Sequence, residues 1–328
     1  MQKKITLFCL LLITYFTFAP STEISGFQIE SPPVQKDSVW ITTETGTIFG
    51  ILYSPADGSA EKRPAVLCLQ GGGDVGLRNY LYEARFFAEN GFVALVCDKS
   101  GTGLSKGSKS WRDQTFDEKT QEYFQLLQWL KKQATVDPAK VGVHGMSEGG
   151  RLALDLAIKH PKEVAFINAV SGPIESFKKN QLFAIRHHLK ERNVESSAID
   201  DAVILWNQYF DEIAKGEISQ EVINKANTLR GEVPYLPSNS RALPQRPRGE
   251  DIHFSLENKM GQVKCPVLFQ FGDGDILVDV QKTTSLIPKA PHFKVVVYEN
   301  TDHSMTLKNG DVHPDFLTDK LKWYADQF

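Results

Sequence analysis

Cysteine is scarce in this chain. There are four in 328 residues, and Cys9 falls in an N-terminal apolar run, which leaves Cys68, Cys97 and Cys265. Three thiols close at most one internal disulfide, which excludes a disulfide-stapled scaffold, and the apolar runs around Cys68 and Cys97 suit burial as small hydrophobes. No Cys/His cluster has zinc spacing. An excess of one charge is missing too: 37 Lys and Arg stand against 40 Asp and Glu, a net charge of −3, so nothing suggests a nucleic-acid footprint. Gly101-Thr102-Gly103 lacks the third glycine of a dinucleotide fingerprint, and Asp273, Asp275 and Asp279 do not continue into an EF-hand loop. No internal repeat is visible, and nothing calls for a cofactor or a metal.

What is present is the composition of a globular chain, 41% hydrophobic and 23% charged, long enough to bury a large core. Residues 1–21 have the form of an export signal: Lys3 and Lys4 precede an apolar run, no charge follows until Glu23, and Ala19-Pro20-Ser21 offers a small-residue cleavage site. Cleavage near Ser21 would make the protein extracytoplasmic, periplasmic or secreted, without stable membrane association. An uncleaved anchor is the alternative, because the stretch from Ile5 to Thr22 is at the lower edge of a span.

A polar lead over 22–37 gives way to strand-like runs. Ser38–Thr43 and Thr47–Tyr53 flank Glu44-Thr45-Gly46 as a hairpin, and four apolar runs follow at Ala65–Leu69, Phe92–Cys97, Val141–Gly145 and Val164–Val170. These lack polar alternation, as strands buried on both faces do. Helical patterns at Tyr80–Glu89, Phe116–Gln133 and Leu152–Lys159 separate them, so the expected fold class is α/β with a mostly parallel, doubly wound sheet. The rhythm breaks over 171–262, which shows helical patterns but no clear strand and has a proline-rich stretch at 233–250. Strand-like runs resume at Val267–Phe271 and Phe293–Tyr298, before a closing helix at Asp315–Gln327. The count is eight strands: a core over 38–170 and 263–328, interrupted by a helical insertion after the sixth strand.

The chemistry concentrates at strand ends. Gly145-Met146-Ser147-Glu148-Gly149 is a G-x-S-x-G pattern placed where a strand meets a helix, the context in which a serine is held on a sharp turn above the sheet. A serine hydroxyl needs a base to take its proton, and on this kind of sheet the acid and the base follow in that order at later strand ends. Val267–Phe271 runs into Gly272-Asp273-Gly274-Asp275, and Phe293–Tyr298 runs into a loop ending in His303. Ser147 is therefore the expected nucleophile, Asp275 the orienting carboxylate and His303 the base. Asp273 competes with Asp275, and His313, just before Pro314, has the position of a helix cap. The run Gln70-Gly71-Gly72-Gly73 after the third strand can aim backbone N–H groups at an oxyanion. Gly72 and Glu148 are the expected donors, with Gly71 or Gly73 as alternatives.

These motifs resemble the α/β-hydrolase superfamily over residues 38–328, with the insertion where cap domains sit in that superfamily. The nearest likeness is to bacterial cap-bearing carboxylesterases and to serine-aminopeptidase-like or dipeptidyl-peptidase-like hydrolases. Asp98-Lys99-Ser100-Gly101-Thr102-Gly103-Leu104-Ser105 is similar to the family's D-x-R-G-x-G-x-S loop, with Lys99 and Ser100 departing from its usual basic pair; Gln70 stands where many relatives have His. The resemblance implies a serine hydrolase acting on a small-molecule ester or a short peptide. The first expectation is a carboxylic ester. The alternatives are an exopeptidase or amidase using the same triad, and a non-catalytic binding protein on the same fold. In the insertion, Phe177, Leu182, Phe183, Ile185, Trp206, Tyr209 and Phe210 either line an acyl pocket or pack the insertion itself. The basic run from Lys178 to Arg192 reads as a solvated helix face or an attractor for acidic groups.

Overall fold

A computed structural model describes residues 33–73, 76–229 and 249–327. The stretch expected to be an export signal and nearly all of the proline-rich stretch lie outside these residues. Among the described residues, nine strands form one sheet in the order β1(Val34–Thr43), β2(Gly46–Pro55), β4(Val93–Cys97), β3(Arg63–Leu69), β6(Val136–Met146), β7(Ile167–Val170), β8(Val267–Gly272), β9(Phe293–Tyr298). The ninth, β5(Lys106–Gly107), pairs off this path with Gly46 and Thr47 of β2. The contacts β1–β2 and β2–β4 are antiparallel, and every pair from β4 through β3 to β9 is parallel. This is the α/β-hydrolase arrangement. A two-residue pairing such as β5 leaves no periodic trace in a sequence, hence eight strands expected and nine found.

Two further boundaries differ for local reasons. Four residues assigned to the polar lead, Val34 to Asp37, pair with β2 at the sheet edge, where exposed polar side chains carry no apolar signal. β6 starts at Val136, not Val141, because its register with β3 shifts between Arg63 and Ala65 and residues 138–140 are exposed.

Burial on both faces follows from the strand period of two. Within β4, Val93, Leu95 and Cys97 join one core, while Ala94 and Val96 join the other. Cys68 belongs to the second core and Cys97 to the first, so the sheet separates the two thiols, and Cys68, Cys97 and Cys265 are all free and buried. The helices α1(Leu81–Glu89) and α8(Pro314–Ala325) carry a charged pair into the second core. There Lys320 is fully buried 3.5 Å from Glu83, whose carboxylate also lies 3.3 Å from His144 of β6. Burial and the Lys320 charge both push the His144 pKa down, outweighing Glu83.

Strand order reverses where β3 sits between β4 and β6, and at such a switch point the loops leaving the carboxyl ends diverge and open a crevice. Leu69 pairs with Gly145, so the glycine run after β3 and the serine turn after β6 emerge side by side. Helices α2(Phe116–Lys131), α3(Glu148–Lys159) and the short α7(Val280–Ser285) belong to this core. Between β7 and β8 the chain forms α4(Phe177–Glu191), α5(Ser196–Lys215) and α6(Gln220–Leu229). Their apolar residues, joined by Ile252, make a core around Leu189, Leu205, Tyr209 and Phe210, with Trp206 against both Tyr209 and Phe210. Tyr209 and Phe210 are therefore packing residues rather than a pocket lining. The basic run is neutralised in part by Lys178–Asp211, Lys179–Glu257 and Arg186–Asp200, so it is not a uniformly positive face.

Candidate active site

The turn after β6 shows why its sequence is glycine-rich. Ser147 has φ 55° and ψ −118°, a region costly for a side-chain-bearing residue, about 1–3 kcal/mol. A Cβ at Gly145 would lie 2.2 Å from the Gly149 carbonyl, and one at Gly149 would lie 2.4 Å from the Leu69 carbonyl. Only glycine lets the strand, the turn and the first turn of α3 close so tightly. The Ser147 N–H donates to the Val170 carbonyl at 2.8 Å, which ties the strained turn to the end of β7.

Asp275 and His303 meet. Asp275 is buried at the end of β8, and its Oδ1 accepts the N–H groups of Leu277 and Val278 at 2.7 and 2.9 Å. Its Oδ2 is 2.7 Å from His303 Nδ1. The loop carrying His303 is shaped by Asp302, whose Oδ1 accepts the N–H groups of Ser304 and Thr306. It is anchored to the sheet by Ser171, whose hydroxyl donates to the His303 carbonyl at 2.9 Å. Val170 and Ser171, consecutive at the end of β7, thus hold the serine turn on one side and the histidine loop on the other. No hydrogen bond joins Ser147 Oγ to His303 among the described residues; unliganded sites often hold this contact long, to tighten on binding. Asp273 lies elsewhere, accepting the Thr301 N–H at 3.3 Å. His313 caps α8 by accepting the Asp315 N–H.

The glycine run is gripped from beneath. Gly71 approaches the serine closely, for a Cβ there would stand 3.4 Å from Ser147 Cβ, and its N–H donates to Tyr80 Oη at 2.7 Å. That bond removes Gly71 from the candidate oxyanion donors. The N–H groups of Gly72 and Glu148 take part in no hydrogen bond among the described residues. Lys99, buried, donates to the carbonyl oxygens of Gly71 and Gly73, the latter at 2.8 Å. Sequence reasoning treated Lys99 only as a departure from a loop pattern. A lysine between an acidic residue and a serine carries no signal of its reach back to residues 26 and 28 positions earlier.

Around the start of α3 the charges are paired. Glu148 Oε1 accepts from Trp111 Nε1 at 3.0 Å and from Lys119 Nζ at 3.2 Å. Burial pushes the Glu148 carboxyl up, but Lys119 and then Lys99 overcome it and hold it at about 2. Asp251, beside α2, accepts the Phe116 N–H at 3.1 Å, and burial raises its carboxyl to about 6. Because its folded pKa exceeds the ordinary 3.8, stability that Asp251 contributes in acid is lost as pH rises from about 4 through 6. Asp251→Asn keeps an acceptor and removes the charge. Its melting temperature relative to the parent is expected to rise from about pH 4 to a little above 6 and then level off, and a flat difference across that window would contradict the assignment.

The model of the X-Pro dipeptidyl-peptidase (S15) family matches residues 35–304. The chain belongs to that family. Among curated relatives, dipeptidyl-peptidase 5 of Porphyromonas endodontalis is 26% identical over 142 residues, which is 40% of this chain but only 20% of that protein's length. Two solved structures share the fold. Est1E from Butyrivibrio proteoclasticus has a TM-score of 0.57 at 14% identity, covering 88% of this chain and 98% of its own. The esterase Pf2001 of Pyrococcus furiosus has a TM-score of 0.55 at 16% identity, covering 94% and 98%. Esterases and peptidases thus both stand near this S15 chain.

Proposed function

We propose that this S15-family protein hydrolyses carboxylic esters through an acyl-enzyme on Ser147. The observation that carries the reading is the 2.7 Å Asp275–His303 contact on a loop tied, through adjacent residues of β7, to the strained turn bearing Ser147. His303 takes the Ser147 proton as Oγ attacks the carbonyl carbon, and Asp275 holds the imidazole so that Nε2 faces the serine. The tetrahedral oxyanion accepts from the Gly72 and Glu148 N–H groups. His303 then returns the proton to the leaving alkoxide as the carbon–oxygen bond breaks. Water repeats the cycle, with His303 again as base, and frees the acid.

A second reading keeps this machinery but changes the bond to an amide near a peptide N-terminus. The S15 match and the dipeptidyl-peptidase relative favour it. Short p-nitrophenyl esters and Gly-Pro-p-nitroanilide separate the two. Turnover of the esters alone supports the first, and release of an intact dipeptide from the anilide moves the assignment to the second. No turnover of either, with Ser147 unlabelled by a fluorophosphonate, removes both.

A further inference from the structure

Lys99 is buried behind the glycine run and is chemically committed to it. Its ammonium donates to the carbonyls of Gly71 and Gly73 and lies 4.8 Å from the centre of the Trp111 ring, as does the ammonium of Lys119. Trp111 in turn donates to the Glu148 carboxylate. A lysine is costly to bury, and three interactions at once (two carbonyls and an aromatic face) stabilise its charge there.

The consequence lies in the peptide plane. Across a trans peptide the C=O and the N–H point in opposite directions. Lys99 holds the Gly71 C=O, so the Gly72 N–H of the same unit is directed away from Lys99, and no protein acceptor among the described residues takes it. Flanked by glycines, with φ +86° at Gly73, this unit has little intrinsic preference for that orientation. The second donor, the Glu148 N–H, belongs to a residue whose own carboxylate would oppose a nearby oxyanion. Lys99 and Lys119 offset that charge.

We propose that Lys99 is the positioning residue of the oxyanion hole: it fixes the Gly71–Gly72 peptide with the N–H of Gly72 toward the reacting carbonyl, and it counters the Glu148 charge beside it. The inference rests on the hydrolase reading above and adds a residue to it.

Lys99→Met removes the donors and the charge at similar length, Lys99→Gln keeps an uncharged NH₂ donor group, and Lys99→Arg keeps the charge and several donors. With a short p-nitrophenyl ester, Lys99→Met is expected to lower kcat by roughly 10²–10³, the usual effect of losing one oxyanion donor, with KM within about threefold. A trifluoromethyl ketone that forms a tetrahedral adduct should lose affinity in proportion. Lys99→Gln should fall between Lys99→Met and the parent, and Lys99→Arg should recover at least a tenfold part of the loss. If Lys99→Met does not fold, Lys99→Gln and Lys99→Arg carry the test through the same order of kcat and ketone affinity. Unchanged kcat, a loss carried in KM alone, or ketone affinity that does not follow kcat would each overturn the proposal. Fluorophosphonate labelling of Ser147 in the parent distinguishes this failure from failure of the hydrolase reading: a labelled serine with an indifferent Lys99 removes only the role of Lys99.

Discussion

Ser147→Ala is expected to lower ester turnover by roughly 10⁶ in kcat, leaving only the rate due to binding and the oxyanion donors. The size follows from the division of labour: without Oγ there is no acyl-enzyme, and the His303–Asp275 pair has no hydroxyl to activate. Alanine also relieves none of the turn's constraints, since φ 55° is as unfavourable for it as for serine. Thermal stability should therefore change little, and the loss will be a loss of chemistry. Steady-state kinetics, with fluorophosphonate labelling followed by mass mapping, reads the outcome. Activity within a hundredfold of the parent, or a label that persists on another residue, would show that the nucleophile lies elsewhere.

Asp275→Asn tests the orienting carboxylate, and the geometry dictates how the amide would sit. Oδ1 accepts the N–H groups of Leu277 and Val278, so the asparagine oxygen stays on that side and its NH₂ faces His303 Nδ1. The imidazole would then accept at Nδ1 and carry its proton on Nε2, which is the tautomer unable to take a proton from Ser147. A loss of about 10⁴ in kcat is expected, the scale associated with the wrong tautomer. Because a deprotonated serine or hydroxide can partly replace the lost base, the residual rate should climb with pH. A variant keeping a tenth of the parent's kcat would rule out Asp275 in this role. The same substitution at Asp273, whose carboxylate accepts the Thr301 N–H, should leave the tautomer and most of the rate intact.

The strand runs and the Ser147 turn were legible because each has a local cause. Strands buried on both faces are written as short Val, Ile, Leu and Phe runs, and a turn that forbids Cβ atoms on either side of a serine is written as glycine. Asp275 and His303 were legible by position, as polar residues just beyond strand ends. Position also put Asp275 ahead of Asp273, yet residues two apart differ only in which way the loop turns, and the structure shows that turn. Gly274 donating to the Thr301 carbonyl and Asp273 bonding Thr301 consume one direction, leaving the other for the imidazole. The aromatic residues of the insertion left two readings open, since packing and pocket lining demand the same apolar side chains. Neighbours decide between them, and Trp206, Tyr209 and Phe210 have each other.

Neighbouring residues alone dictated the class of fold, the order of strands along the chain and the glycine-flanked Ser147 turn, all of which depend on residues within a few positions of one another. What crosses long separations was set by the way whole elements pack. That packing brought His303 to Asp275 and Ser171, placed Lys99 under Gly71 and Gly73, joined Lys119 to Glu148, and put Cys68 and Cys97 on opposite faces of the sheet. Periodicity records which side of an element is buried, but a hydrogen bond between distant residues depends on the packing of whole elements, and no local pattern encodes that.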